Sequence, residues 1–379
     1  MPRYFWETPS WPNYSWNQDA LIQPLALVRE LQERLLRAMA DLGLDGGLEA
    51  CAMAVEEEAI HTSAIEGERL SREKLRSSIA RFLGLPDAGL PHTERAVEGL
   101  VEVLLDASHN HAKPLTKERL WGWHAALFPY GRSGLNSVTT GTWRTGTMRV
   151  VSGPYGYEKV HYEAPPPERI EKEMEAFLSW WDGTRDRLDG IVRAALAHLY
   201  FVTIHPFDDG NGRLARALAD MALAQDDGSS NRFYSLSSQV MKERAEYYDM
   251  LKSTQWSGEC TQWLAWFIGC LGRSLNAAEF KLDIVSTKAA FWWLHRDQAV
   301  NGRQKRVIDR LLDLGRDGFI GGLTVRKYMG MTKASNAIAV QEIGELVQRR
   351  MLRLLPGTRS RKAYEIEWER GNGPRKSLT

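Results

Sequence analysis

Along most of the chain, apolar residues recur at the three-to-four spacing of a helix face. From Asp19 to Leu42 the positions Leu25, Leu27, Val28, Leu31, Leu35, Leu36 and Met39 form such a stripe, and Gly43, Gly46 and Gly47 then predict its stop. A second helix is expected from Leu48 to Ile65. Others are expected over Glu94 to Ala107, Thr116 to Leu127, Pro167 to Asp182, Leu188 to Ile204 and Gly212 to Gln225. Between Leu83 and His92, two glycines and two prolines read as a connector. Before residue 300, strand alternation is convincing only at Met148–Val151 and Glu158–Tyr162, around Gly153-Pro154-Tyr155-Gly156, which predicts a single hairpin in a helical protein. From Gly302 the order is three helices, the third from Thr332 to Arg350. Two strand-like runs follow, Met351–Leu355 and Ala363–Ile366, around a turn holding Gly357-Thr358-Arg359-Ser360-Arg361. That is the order of a winged helix-turn-helix. Trp6, Trp11 and Trp16, set among prolines and asparagines, fit neither helix nor strand and suit an extended arm pinned by its rings.

Composition narrows the picture. With 43% hydrophobic residues in 379, a large core and two or three domains are expected. A net charge of +1 gives the whole chain no preference for nucleic acid or membrane. Locally, residues 302–362 hold 14 Lys or Arg against 5 Asp or Glu, a patch able to meet nucleic-acid phosphates. Glu342 and Glu345 on the third helix weigh against DNA, and winged helices also make protein contacts, so both partners stay open. Cys51, Cys260 and Cys270 form no CxxC pair and read as small core residues, as do Trp180, Trp181, Trp263, Trp266, Trp292 and Trp293 within helical patterns. No apolar run approaches the ~20 residues of a membrane span, and Met1 to Asn17 lacks a signal-peptide core, so no membrane partner and a cytoplasmic location are expected.

Chemistry concentrates in His205-Pro206-Phe207-Asp208-Asp209-Gly210-Asn211-Gly212-Arg213-Leu214-Ala215-Arg216. Pro206 disfavours helical geometry at His205 and so sets this histidine at a helix end. Gly210 and Gly212 permit backbone angles that expose amides, and the helix starting near Gly212 adds unpaired N–H groups and the positive end of a dipole, a place that binds phosphate. Arg213 and Arg216, spaced i, i+3, project from one side and can fork onto phosphate oxygens. Asp209 can contribute a carboxylate to Mg²⁺, and His205 is the group that accepts a proton readily near neutral pH. Gly210-x-Gly212-x-x-Ala215 also fits a dinucleotide fingerprint, but no strand leads into it, so that reading fails. His198, on the same helix face as His205, reads as a packed, hydrogen-bonded residue. His61, His109, His111, His124 and His161 have no metal-ligand spacing.

These residues meet every position of HPFx(D/E)GNGRxxR, and the sequence resembles the Fic family over a core from about Thr116 to Leu271. The resemblance implies a mainly α protein: the Fic helical fold with a β-hairpin flap, N-terminal helices and a C-terminal winged helix-turn-helix. The corresponding divisions are 1–92, 93–275, 276–301 and 302–379. It further implies a protein adenylyltransferase. His205 would take the proton of a target Ser, Thr or Tyr hydroxyl, which attacks the α-phosphorus of ATP as pyrophosphate leaves. Asp209 would hold Mg²⁺, and Gly210, Asn211, Gly212, Arg213 and Arg216 would bind the phosphates. Tyr247 and Tyr248 look like tyrosines that line the nucleotide in relatives, while Gln255 follows where some relatives have asparagine. The hairpin from Met148 to Tyr162 would hold an extended segment of the target protein by main-chain hydrogen bonds.

Thr62-Ser63-Ala64-Ile65-Glu66-Gly67 matches the (S/T)xxxE(G/N) inhibitory motif of this family. Glu66 would therefore pair with Arg216 and compete with the ATP γ-phosphate for one guanidinium. Self-modification and a homo-oligomer are further expectations. Three other functions stay open: hydrolytic removal of AMP with Glu66 orienting water, a DNA-binding regulator whose core senses nucleotide, and transfer of another phosphate-bearing group.

Overall fold

The computed structural model describes residues 2–40, 43–85, 94–152, 159–315, 319, 321–355 and 362–368. Most of the expected 83–92 connector, the hairpin turn at 153–156 and the turn at 357–361 lie outside the described residues. The chain divides into two compact units, Met1–Asn276 and Ala277–Thr379. Among the described residues, helices dominate and the strands form only two-stranded sheets, so the fold is mainly α.

In the first unit, α1 spans Asp19–Ala40 and α2 Gly43–Ile65. The glycines expected to stop α1 therefore lie inside α2. Burial of Cys51, Ala54, Val55 and Ala59 along this helix outweighs the roughly 1 kcal/mol that each interior glycine costs. α3 (Arg72–Leu83) was not expected from the pattern. It is charge-rich and is tied to α2 by Arg72 and Arg76, which donate to the buried Glu56 carboxylate at 2.8 and 2.7 Å. α4 (Arg95–His109) follows, then α5 (Lys117–Leu127), whose N-cap Thr116 accepts the Arg119 N–H at 3.2 Å.

A miniature hairpin, β1 (Arg132–Ser133) with β2 (Asn136–Ser137), is too short to show a period in the sequence. β3 (Arg149–Ser152) and β4 (Lys159–Glu163) then pair antiparallel, with a shift of register between Val150 and Val151. The unit continues through α6 (Pro167–Gly183), α7 (Gly190–Ile204), α8 (Asn211–Asp227), α9 (Leu236–Lys242), α10 (Arg244–Ser257) and into α11 (Thr261–Leu294).

α7 and α8 form the centre of this unit. Every residue from Ile191 to Ile204 is buried, as is Leu214 to Ala224 on α8. Small residues such as Ala194, Ala197, Ala215 and Ala219 let the two helices pack closely. The N-terminal arm lies on the same body. Trp11 donates to Glu173 at 2.7 Å, Trp6 donates to the Glu163 carbonyl at 2.9 Å, and Phe5–Glu7 form one 3-10 turn. The three cysteines are buried and unpaired.

In the second unit α12 (Gly302–Leu314) is capped by Asn301, and α13 (Val325–Thr332), α14 (Asn336–Gln348), β5 (Leu352–Leu354) and β6 (Tyr364–Ile366) follow. Val307, Ile308, Leu311, Leu323, Ile343, Leu346 and Met351 pack one core. The third helix starts at Asn336 and not at Thr332, because Lys333 takes a left-handed conformation and Ser335 caps the new helix. Trp293 is 67% exposed, which corrects its reading as core, and Trp292 and Trp180 are only half-buried. Neighbouring helical residues point about 100° apart, so one of each tryptophan pair must turn away. No helix among the described residues is long and apolar enough to cross a membrane.

Candidate functional site

The loop between α7 and α8 is held by its own side chains. His205 closes α7 in a left-handed conformation, φ 54° and ψ 59°, which is costly for a residue with a Cβ and must be held by its surroundings. Arg144 supplies that hold. Its backbone N–H reaches the Pro206 carbonyl at 2.9 Å, and its guanidinium donates to the carbonyls of His205, Gly146 and Pro165 at 2.7, 2.6 and 2.5 Å. The Asn211 amide accepts the Phe207 N–H at 3.0 Å and donates to the Phe207 carbonyl at 2.8 Å, closing the loop on itself. Phe207 stacks on His124 at 4.0 Å, and His124 Nε2 lies 3.2 Å from the Asp209 carbonyl. A carbonyl only accepts, so that nitrogen carries the proton, and burial keeps the ring neutral by pushing its pKa down to about 4.

Gly210 then caps α8 at φ 80°, and a Cβ there would lie 2.8 Å from the Phe128 ring. The first helical bond of α8 runs from Leu214 N–H to the Gly210 carbonyl, so the amides of residues 211 to 213 have no acceptor within the helix. The Asn211 side chain is 2% exposed and bonded to the Phe207 backbone, so it is the backbone amide of this residue that faces an anion.

Both arginines are buried, and both meet carboxylates from the end of α2. Arg216 donates through Nε to Thr62 Oγ1 at 2.7 Å, and through Nη2 to the Thr62 carbonyl at 3.0 Å and Glu66 Oε1 at 2.8 Å. Its Nη1 is buried without a hydrogen-bond partner. Burial would depress this guanidinium, but the Glu66 carboxylate, together with Tyr247 and Glu58, offsets that and its pKa is raised. Arg213 donates to Glu68 at 3.1 Å and lies over the Phe128 ring at 4.9 Å. The Glu66 carboxylate crosses the place a Cβ on Gly212 would take, so glycine alone lets it rest on the first turn of α8.

His205 Nδ1 faces the Val202 carbonyl at 3.1 Å, so Nδ1 carries the proton and Nε2 keeps its lone pair. Burial, aided by Arg144, pushes the imidazole below its usual pKa against the opposing pull of the Val202 carbonyl. The ring lines a cavity of about 650 Å³ shared with Glu66, Gly212, Tyr247, Tyr248 and Gln255. The tyrosines divide: Tyr247 is buried with its hydroxyl 2.9 Å from His198 Nε2, and Tyr248 is 42% exposed at the rim. His198 is thus a packed, hydrogen-bonded residue. Below this rim, Tyr162 on β4 donates to the Thr203 carbonyl at 2.6 Å and roots the hairpin beside His205.

Asp209 is half-buried, and its Oδ1 accepts the Gly210 N–H at 2.5 Å. Among the described residues no group of three acidic, histidine or cysteine side chains gathers to hold a metal. Mg²⁺ is commonly held by one or two carboxylates plus substrate phosphates, so a single carboxylate at an anion-binding loop fits that donor set. Arg144, His124 and Glu68 were not assigned from the sequence. They act through backbone carbonyls, a ring stack and a loop contact, none of which leaves a spacing to read.

Residues 114–223 match the Fic/DOC family and residues 4–85 match a domain of unknown function (DUF4172), so the chain carries a Fic/DOC family domain. Among curated proteins it is 32% identical over 116 residues to the uridine 5'-monophosphate transferase of Xanthomonas campestris pv. campestris, covering 29% of this chain and 21% of that protein. It is 27% identical over 224 residues to the protein adenylyltransferase Fic of Nematostella vectensis, covering 57% of this chain and 47% of that one. The chain thus spans less than half the length of these relatives. In fold it is similar to a Fic family protein from Desulfovibrio desulfuricans G20, with TM-score 0.52 and 21% identity over 96% of this chain and 99% of that one.

Proposed function

We propose that the chain is a protein adenylyltransferase that moves AMP from ATP to Ser, Thr or Tyr hydroxyls. One observation carries this reading: an imidazole with an unblocked Nε2 shares a cavity with Gly212, at the amide-rich start of α8, and with Glu66, the carboxylate that the buried Arg216 holds. His205 Nε2 takes the hydroxyl proton, the oxygen attacks the α-phosphorus, and the bond to the bridging oxygen of pyrophosphate breaks. Arg213, Arg216 and the amides of Asn211, Gly212 and Arg213, in the loop that Gly210 turns, hold the phosphates as negative charge shifts to the leaving group. Mg²⁺ at Asp209 would neutralise phosphate charge. Tyr248 offers a ring face to the base from the rim, Tyr247 completes the wall, and the β3–β4 hairpin presents the target segment.

Glu66 is the brake. Its carboxylate lies on the turn of α8 that a phosphate would use and occupies one side of Arg216. Charge-assisted hydrogen bonds are worth about 1.5–3 kcal/mol, so removing Glu66 should raise transfer roughly 10- to 100-fold. A second reading concerns the nucleotide. A relative at 32% identity bears the name of a uridine monophosphate transferase, and an aromatic platform stacks any base.

The test is intact-mass analysis of wild type and Glu66→Gly incubated separately with ATP, UTP, GTP and CTP and candidate targets. AMP addition that rises in Glu66→Gly supports the reading. Preferential UMP addition moves it to uridylyl transfer, and release of AMP from a pre-modified target that is lost in Glu66→Gly moves it to hydrolysis.

A further inference from the structure

We propose that the unit Ala277–Thr379 binds A·T-rich duplex DNA with the exposed face of α14 in the major groove. This inference is independent of the chemistry at His205. α13, the turn 333–335 and α14 follow one another as in a helix-turn-helix, whose second helix reads base edges. On α14, Ala339, Glu342, Ile343 and Leu346 are buried, whereas Asn336, Ala337, Val340, Gln341, Gly344 and Gln348 form one exposed stripe. That stripe carries no charge.

The two glutamates that count against DNA in the bare sequence are partnered within the unit. Glu342 is 4% exposed and accepts from Arg303 at 2.6 Å, Asn301 at 2.7 Å and Tyr328 at 2.7 Å. Glu345, at the edge of the stripe, accepts from Gln304 at 2.8 Å and Gln341 at 2.9 Å and lies 3.8 Å from Arg349. Exposed cations precede and follow the helix along the chain: Arg326 on α13, Lys333 in the turn and Arg350 just beyond α14. As cations next to each end of that helix, they would meet phosphates beside the groove it enters.

The stripe's composition selects the base pair. Asn and Gln pair with the adenine edge, and Ala and Val pack on the thymine methyl. Guanine is read mainly by Arg or Lys, which the stripe lacks. Gly344 adds an independent sign. It sits mid-helix, where glycine is disfavoured against alanine, and nothing lies within 4 Å of the position of its missing Cβ. Packing inside the unit does not require it, whereas a groove edge pressed against the helix would.

Fluorescence anisotropy of the full chain with A·T-rich and G·C-rich duplexes of equal length, at low and at raised salt, tests the proposal. The A·T-rich duplex should bind about tenfold tighter or more, and Asn336→Ala combined with Gln348→Ala should bring the two within about twofold. Lys333→Ala should weaken both alike and reduce the salt slope by about 1. Gly344→Glu, checked by an unchanged circular dichroism spectrum, should abolish binding. The proposal is overturned if neither duplex binds at low salt, if both bind equally, or if the preference survives loss of Asn336 and Gln348. A dimer that Gly344→Glu dissociates, with no duplex bound, would mark the face as a contact between copies and would equally overturn it.

Discussion

A buried arginine normally meets a carboxylate, yet the acceptors of the Arg144 guanidinium are the backbone carbonyls of His205, Gly146 and Pro165. It thereby joins both ends of the hairpin segment to the strained histidine. Arg144→Lys keeps the charge but cannot span three acceptors, and each buried acceptor left bare costs about 1–3 kcal/mol. We expect this variant to lose about 2 kcal/mol or more of stability in urea unfolding and to lose transfer in kcat more than in KM for ATP. Unchanged stability and kcat would refute the clamp. What the sequence revealed at this scale follows from residues whose effect is local. Pro206 fixes where α7 ends, and Gly210 and Gly212 mark amides laid open. Arg144 and His124 stayed hidden because a carbonyl partner has no residue identity, and the bonds by which the Asn211 side chain closes the loop on Phe207 leave no mark in the sequence for the same reason.

At the scale of elements, the position of Glu66 depends on how α2 is seated. Glu58, 5% exposed on α2, accepts the Ser235 hydroxyl at 2.7 Å and the Ser237 N–H at 3.0 Å, with a further bond from the Ser237 hydroxyl, and so latches α2 to the start of α9. Glu58→Ala leaves these donors without a charged acceptor, at a cost of about 2–3 kcal/mol, and loosens the seam that holds the brake. Basal transfer should rise severalfold in Glu58→Ala while His205, Arg213 and Arg216 are untouched; an unaltered basal rate would detach this seam from control of Glu66. The helical period located most elements within a few residues. It failed where tertiary contact outweighs propensity, at the glycines inside α2, and where ion pairs replace an apolar stripe, along α3.

Across the whole molecule, two buried histidines couple folding to pH. Burial pushes His124 to about 4 and His198 to about 3, the latter with help from Arg216. The unfolded chain takes up these protons below its ordinary histidine pKa of about 6.5, and the folded chain does not. The stability these two rings contribute is therefore intact above about pH 6.5 and is lost as pH drops toward the folded values, by about 2 kcal/mol per histidine at pH 5. The fall in urea-unfolding stability from pH 7.5 to pH 5 should shrink by about 2 kcal/mol when His124 is replaced by Gln, and an unchanged fall in that variant would contradict the burial of this ring. The overall class, mainly α with its chemistry gathered in one loop, was legible from the sequence because period and motif are both short-range. The partnering of Glu342 and Glu345 was not, because it depends on residues some forty positions away along the chain.

The central claim is that His205 acts as a base on a substrate held by the start of α8, with Glu66 as a separate brake. Transfer from α-labelled ATP by Glu66→Gly, compared with Glu66→Gly/His205→Ala alongside ATP binding to both, tests it most directly. We predict that the double variant binds ATP about as well as the single variant but loses transfer by roughly 10²- to 10⁴-fold. Equal transfer by the two proteins would contradict the account.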